Sequence, residues 1–114
     1  MNDCLFCKIA AGEIPSSKVY EDEEILAFRD IAPQAPVHVL VIPKKHVSGW
    51  YEAKEESDAA LARLMRAAAT VAKMEGIVES GFRVVSNCGA DAQQSVAHLH
   101  LHVLGGRAMS GNMA

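Results

Sequence analysis

The chain has 114 residues, of which half are apolar, 22% charged and 5% aromatic, with a formal net charge of −3. That length suits one domain spanning residues 1–114, and the composition excludes a disordered tail, a fibre and a coiled coil. No apolar run approaches the roughly 18 residues of a membrane helix, and no basic surplus points to a nucleic-acid duplex, so neither a membrane nor nucleic acid is an expected partner.

In chain order, residues 5–11 read as a short helical turn stopped by Gly12, followed by a loop at Pro15, Ser16 and Ser17. Residues 18–21 and 25–29 form two short strands around the acidic turn Asp22-Glu23-Glu24. Residues 37–42 are an apolar, β-branched run broken only by His38 and closed by Pro43, as expected of a strand covered on both faces. Residues 56–75 form the clearest helix. Leu61, Leu64, Met65, Ala68, Val71 and Ala72 make one apolar stripe, acids lie near the start, Lys73 lies near the end and Gly76 is the stop. Residues 82–87 give another strand, and a polar loop over 89–94 leads into a last strand over 96–104. Several strands, one long helix and short connections predict an α+β fold with the helix packed on an antiparallel sheet.

The last strand carries His98-Leu99-His100-Leu101-His102-Val103-Leu104. Alternation puts the three imidazoles on one face and Leu99, Leu101 and Val103 on the other. The aliphatic face anchors the strand, while the histidine face is expected to look into solvent or a cleft, with neighbouring rings about 6.7 Å apart along the backbone. Packing gains nothing from three imidazoles, so the cluster marks a site. Two chemistries are open: the rings bind a metal, or one ring is a nucleophile while another handles protons. The outer two rings are roughly 13 Å apart along the strand, too far to share one ion easily with the third. Separately, Cys4-x-x-Cys7 has the spacing of half a zinc site, and the odd third cysteine, Cys88, argues against a disulfide framework. A reducing cytoplasm is the expected setting, and the opening Met1-Asn2-Asp3-Cys4 does not read as a secretory signal.

The run His-φ-His-φ-His-φ-φ resembles the signature of the histidine triad superfamily of nucleotide hydrolases and transferases. Ile14-Pro15, Phe28-Arg29-Asp30-Ile31, Pro33-Gln34-Ala35-Pro36-Val37-His38, Val41-Ile42-Pro43-Lys44-Lys45-His46, Asn87, Gln94-Ser95-Val96 and Leu104-Gly105-Gly106-Arg107 fall in the family's order, over nearly the whole chain. The Gly-Gly-Arg ending is similar to the HINT branch, the histidine triad nucleotide-binding proteins. A Pro-Arg there would point instead to dinucleoside polyphosphate hydrolases of the Fhit branch. The resemblance implies a five-stranded antiparallel sheet with one long and one short helix, joined across a homodimer.

It also implies an activity: hydrolysis of a purine nucleoside phosphoramidate, of AMP or GMP type, through a nucleotidyl-histidine. His100 would be the nucleophile, with its other ring nitrogen held by the backbone carbonyl of His98. His102 would contact the phosphate and leaving atom, and His38 would join the proton relay. Ser95, Asn87 and Gln94 would border the phosphate and leaving group, Asp30 would bind the ribose hydroxyls, and Phe6, Ile9, Phe28 and Ile31 would line the base pocket. Cys4, Cys7, His46 and His98 would hold a structural zinc, with no catalytic cofactor. The alternatives are a dinucleoside polyphosphate hydrolase, a non-catalytic nucleotide-binding adaptor and a metalloenzyme using the triad itself. Taken alone, Lys44-Lys45 reads as a solvated pair and Phe6, Ile9, Phe28 and Ile31 as plain core. Gln93 stands where HINT relatives have glycine, which predicts crowding at the phosphate loop. Cys88 reads as a small buried hydrophobe. The tail over 108–114 lacks the aromatic residue that some relatives place near the amine. The dimer contact is expected at the helix stripe and the strand from Phe82.

Overall fold

The computed structural model describes residues 3–113. The chain folds into α1 (Leu5–Ala10), β1 (Lys18–Glu21), β2 (Ile25–Arg29), β3 (Val37–Pro43), a 3₁₀ turn (Glu52–Glu55), α2 (Asp58–Met74), β4 (Phe82–Val85) and β5 (Leu101–Gly105). Local chemistry sets the boundaries. Cys4 caps α1, its Sγ accepting from the Cys7 N–H at 3.3 Å. Ser57 Oγ caps α2 through the Ala60 N–H at 3.1 Å, and Gly76 follows its last turn at φ +72°. The β1–β2 turn closes on Asp22, whose Oδ1 accepts from the N–H groups of Glu24 and Ile25, both at 2.8 Å.

The five strands form one antiparallel sheet in the order β1-β2-β3-β5-β4. Strand alternation divides the core in two. Val39 and Val41 of β3, with Leu99, Leu101 and Val103, pack against Leu64, Ala68, Val71 and Ala72 of α2. On the opposite face Leu26, Phe28, Leu40 and Ile42 pack under Phe6 and Ile9 of α1. β3 is therefore covered on both faces, as its unbroken apolar run requires. Among the described residues, no helix is long and apolar enough to cross a membrane.

The sequence reading and the structure differ at several places. The last strand begins at Leu101, not at residue 96. Across from this segment β3 runs out at Pro43, which has no N–H to offer the ladder, and the Leu99 N–H bonds the Val47 carbonyl at 2.6 Å instead. β4 likewise stops at Val85, before residue 87. Met65 is 75% exposed, so the α2 stripe narrows to Leu64, Ala67, Ala68, Val71 and Ala72. Those five residues pack within the chain, and Met65 stays at the surface. Cys88 is exposed rather than buried, because it falls in the polar loop beyond the end of β4.

Candidate active site

The three histidines of the 98–102 run all lie on the α1 side of the sheet, but each ring meets a different environment. The rings of His100 and His102 have centroids 5.1 Å apart, and Phe6 stands edge-on to His100 at 5.0 Å and to His98 at 6.0 Å. Under this cover His98 is fully buried and His100 only 4% exposed. Of the two expected surroundings, solvent or a cleft, the face meets a cleft: α1 roofs the first two rings, and His100 and His102 line a cavity.

Hydrogen bonds fix the tautomer of each ring. His100 Nδ1 lies 2.6 Å from the His98 carbonyl. A carbonyl only accepts, so Nδ1 carries the proton and Nε2 presents a bare lone pair. His38 Nδ1 accepts the Gln34 backbone N–H at 3.0 Å, so the neutral ring carries its proton on Nε2. That N–H donates to His102 Nδ1 at 2.8 Å, which leaves His102 with its proton on Nε2. Side by side at the cavity wall, one imidazole is therefore a lone-pair donor and the other an N–H donor. A nucleophile beside a hydrogen-bond donor is what such a pairing can supply.

Burial works against charge on these rings. It lowers His38 below its usual value, partly opposed by the carboxylate of Asp30, whose Oδ2 lies 3.5 Å from His38 Nε2. Burial, with His100 and His38 nearby, brings His102 down to about 4. His98 is also lowered, first by burial.

The cavity holds about 480 Å³. Phe6, Ile9, Phe28 and Leu40 form its apolar part, while Asp30, Ser95, His100 and His102 supply polar groups. Ile31 stands fully exposed at the wall, where an aliphatic side chain in water would gain from covering a flat ligand. Phe6, Ile9 and Phe28 belong to the α1-side core as well as to the cavity. Pro15 and Val96 also line it. Leu40 was accessible to sequence reasoning, because it follows His38 by two residues on β3 and so shares its face.

Asn87 and Gln94 do not line this cavity. Asn87 Nδ2 donates to the Ala92 carbonyl at 2.9 Å. Gln94 Oε1 accepts from the Gly89 N–H, and its Nε2 donates to the carbonyls of Ser48 and Val96. Both residues brace the loop that delivers Ser95. In that loop Gln93 adopts φ +63°, the only left-handed residue other than glycine among those described. That is the physical reason glycine suits the position. Lys44 and Lys45 turn away to Glu21 and Glu56, in keeping with a solvated pair.

A second cluster lies behind His100. Cys4 Sγ is 3.2 Å and Cys7 Sγ 3.4 Å from His98 Nδ1, and Cys7 Sγ is 3.2 Å from His46 Nδ1. The four donor atoms all fall within 4.8 Å of one another. His98 Nε2–H donates to the Pro43 carbonyl at 2.8 Å, which bares Nδ1 toward the thiols. Two sulfurs and two imidazoles this close suit a four-coordinate metal, for which tetrahedral geometry sets sulfur-to-nitrogen edges of roughly 3.5 Å. His98 thus serves both clusters, its ring on one and its carbonyl on the other.

A small antiparallel α+β protein with paired imidazoles at a cavity and a Cys2His2 cluster behind them is the class these features define. The HIT domain family model matches residues 11–109. The chain is 51% identical over 110 residues to the 14 kDa zinc-binding protein of Brassica juncea, covering 95% of this chain and 96% of that one. It is 42% identical over 112 residues to the purine nucleoside phosphoramidase of Escherichia coli K12, covering 98% and 94%. A histidine triad protein from Clostridium difficile superposes with a TM-score of 0.93 at 45% identity, covering 98% and 97%. The chain belongs to the HIT domain family.

The lowered histidines set the sign of the acid response. An unfolded histidine binds protons near its ordinary 6.5, whereas folded His102 resists until about 4. The stability gained by keeping these rings neutral is therefore whole above about 6.5 and is lost as pH falls toward 4. Urea titrations between about pH 7 and about pH 5, above the carboxylate range, are expected to show steadily falling unfolding free energy. A flat profile there would contradict the neutral-ring assignment.

Proposed function

We propose that this chain, acting as a single HIT domain, is a hydrolase that cleaves purine nucleoside phosphoramidates, of AMP or GMP type, through a nucleotidyl-His100 intermediate. The observation that carries the reading is the 2.6 Å hydrogen bond from His100 Nδ1 to the His98 carbonyl, which leaves the Nε2 lone pair on a ring at the cavity wall. His100 Nε2 attacks the α-phosphorus and the bond from phosphorus to the amine nitrogen breaks; the departing nitrogen takes a proton that enters from solvent through the His38–His102 pair, so it leaves as the neutral amine and neither ring becomes an imidazolate. Water then attacks phosphorus, the bond from phosphorus to His100 Nε2 breaks, water's protons return through the same pair, and the nucleoside monophosphate is released. Ser95 contacts the phosphoryl oxygens, with Asn87 and Gln94 shaping its loop. Asp30 accepts from the ribose hydroxyls, and Phe6, Ile9, Phe28 and Ile31 sandwich the base. The likeness to the Escherichia coli phosphoramidase supports the substrate class.

With an adenosine phosphoramidate as substrate, the chain is expected to release monophosphate. His100→Asn should lower kcat by more than about 10³-fold, as loss of a nucleophile does, and a diadenosine polyphosphate should be cut poorly. Preferred cleavage of the dinucleotide would replace this reading with the Fhit-type alternative, and binding without turnover would replace it with an adaptor.

The Cys4, Cys7, His46 and His98 cluster is proposed to hold a structural zinc that ties α1 to the sheet, in a reducing cytoplasm where the thiols stay reduced. Metal analysis should find about one zinc per chain, lost with a clear drop in melting temperature in a Cys4→Ser, Cys7→Ser double variant. Loss of turnover with an unchanged melting curve would contradict a structural role.

The partner we propose is a second copy of the chain. β4 is an edge strand with Phe82 and Val84 exposed, beside exposed Met65 and Trp50. Open edges flanked by apolar side chains favour strand pairing. Light scattering at micromolar concentration should give twice the chain mass, and a monomer would overturn the assignment.

A further inference from the structure

The Gly105-Gly106-Arg107 ending distinguishes a branch by sequence, yet none of its three residues lines the cavity. Each of them makes a specific contact with a neighbouring segment. Gly105 ends β5, paired with Val37 and Phe82. A Cβ there would sit 2.8 Å from Ile77 Cδ1 and 3.0 Å from Ile77 Cβ, inside the buried core. Gly106 takes φ +95°, and a Cβ on it would fall 2.9 Å from Pro36 Cβ. The chain leaving β5 therefore lies directly against the segment that enters β3. Arg107 completes the contact, its Nη2 donating to the Gln34 carbonyl at 2.9 Å and its Nη1 to the Ala108 carbonyl at 3.2 Å.

Gln34 is also the residue whose backbone N–H donates to His38 Nδ1. One residue is therefore held from outside at its carbonyl while its N–H determines which nitrogen of His38 carries the proton. Remove the outer hold, and Gln34 can rotate its N–H away from His38. The His38 ring could then place its proton on Nδ1, and His102 Nδ1 would lose its donor. From these contacts we infer that Arg107 is a positioning residue: through Gln34 it holds His38 in the Nε2–H tautomer that orients His102. Gly106 makes the approach possible, because any side chain there would push Pro36 outward. The assignment rests on reading His38 and His102 as the proton relay of the proposed reaction, but its structural half concerns only the state of one ring.

The test is nitrogen-15 NMR of the histidine rings in the full chain, without substrate, comparing wild type with Arg107→Met. Wild type should show His38 with a bare Nδ1 and a protonated Nε2. Arg107→Met should show the Nδ1–H tautomer or exchange between the two, with His98 and His100 unchanged and melting close to wild type. Arg107→Lys, which keeps a donor, should restore most of the wild-type pattern. If Arg107→Met does not fold, Arg107→Ala, which also removes the donor, carries the same comparison. With the phosphoramidate substrate, Arg107→Met should lose about tenfold in kcat at nearly constant KM, part of the roughly 10²–10⁴-fold that positioned proton transfer contributes. A wild-type His38 ring in the folded variant, or an unchanged kcat, would overturn the inference. Because the ring pattern is read without turnover, failure of the substrate assignment leaves that arm decisive.

Discussion

The hydrogen bond from His100 Nδ1 to the carbonyl of His98 is the constraint on which the site depends. It requires the backbone to carry His98 and His100 on one side of the sheet while their flanking leucines stay on the other. It also requires the His98 carbonyl to be unclaimed by strand pairing. Alternation along the extended chain meets the first, and the second is met because β5 starts only at Leu101. Had the ladder continued, that carbonyl would have faced a neighbouring strand, and the central imidazole would have had no fixed tautomer. A short strand is thus a functional feature: pairing stops where the backbone must serve a side chain.

Three chemically identical rings acquire different roles through what the backbone and the neighbouring segments offer them. His98 is turned by the Pro43 carbonyl toward two thiols, His100 is turned by the carbonyl of His98, and His102 is turned by His38. Burial keeps His38, His98 and His102 neutral at physiological pH, so their behaviour follows from which nitrogen carries the proton. The roof over two of the rings is Phe6, on a helix of only six residues. So short a helix has little stability alone. Its capping cysteine and its Cys7 both reach the His98 cluster, which ties the roof to the same residue whose carbonyl orients His100. N-terminal anchoring and site geometry thus share one residue.

Much of this was legible in the sequence. β1, β2, α2 and the two-sided burial of β3 followed from periodicity and turn residues, and the shared face of the three histidines followed from alternation. The division of labour among them was not legible. Spacing says that rings share a face, but it does not say that one lies under α1, or that Pro43 would end the ladder early. Met65 fits the helical period and is still exposed, on a groove it shares with Trp50 and Val84. Asn87 and Gln94 are residue types that suit phosphate contacts and loop bracing equally well, and their partners turn out to be carbonyls and an N–H of their own surroundings. Arg107 could be recognised only as part of a motif, because its partner at Gln34 lies 73 residues away in sequence.

The central claim is that His100 Nε2 attacks phosphorus, and the direct measurement is identification of the covalent intermediate. Turnover of an adenosine phosphoramidate, quenched in alkali and followed by peptide mass spectrometry, should place one adenylyl group on the peptide containing His100, and the His100→Asn variant should carry none. An adenylyl group on any other residue, or turnover with no modified peptide at any quench time, would contradict the account.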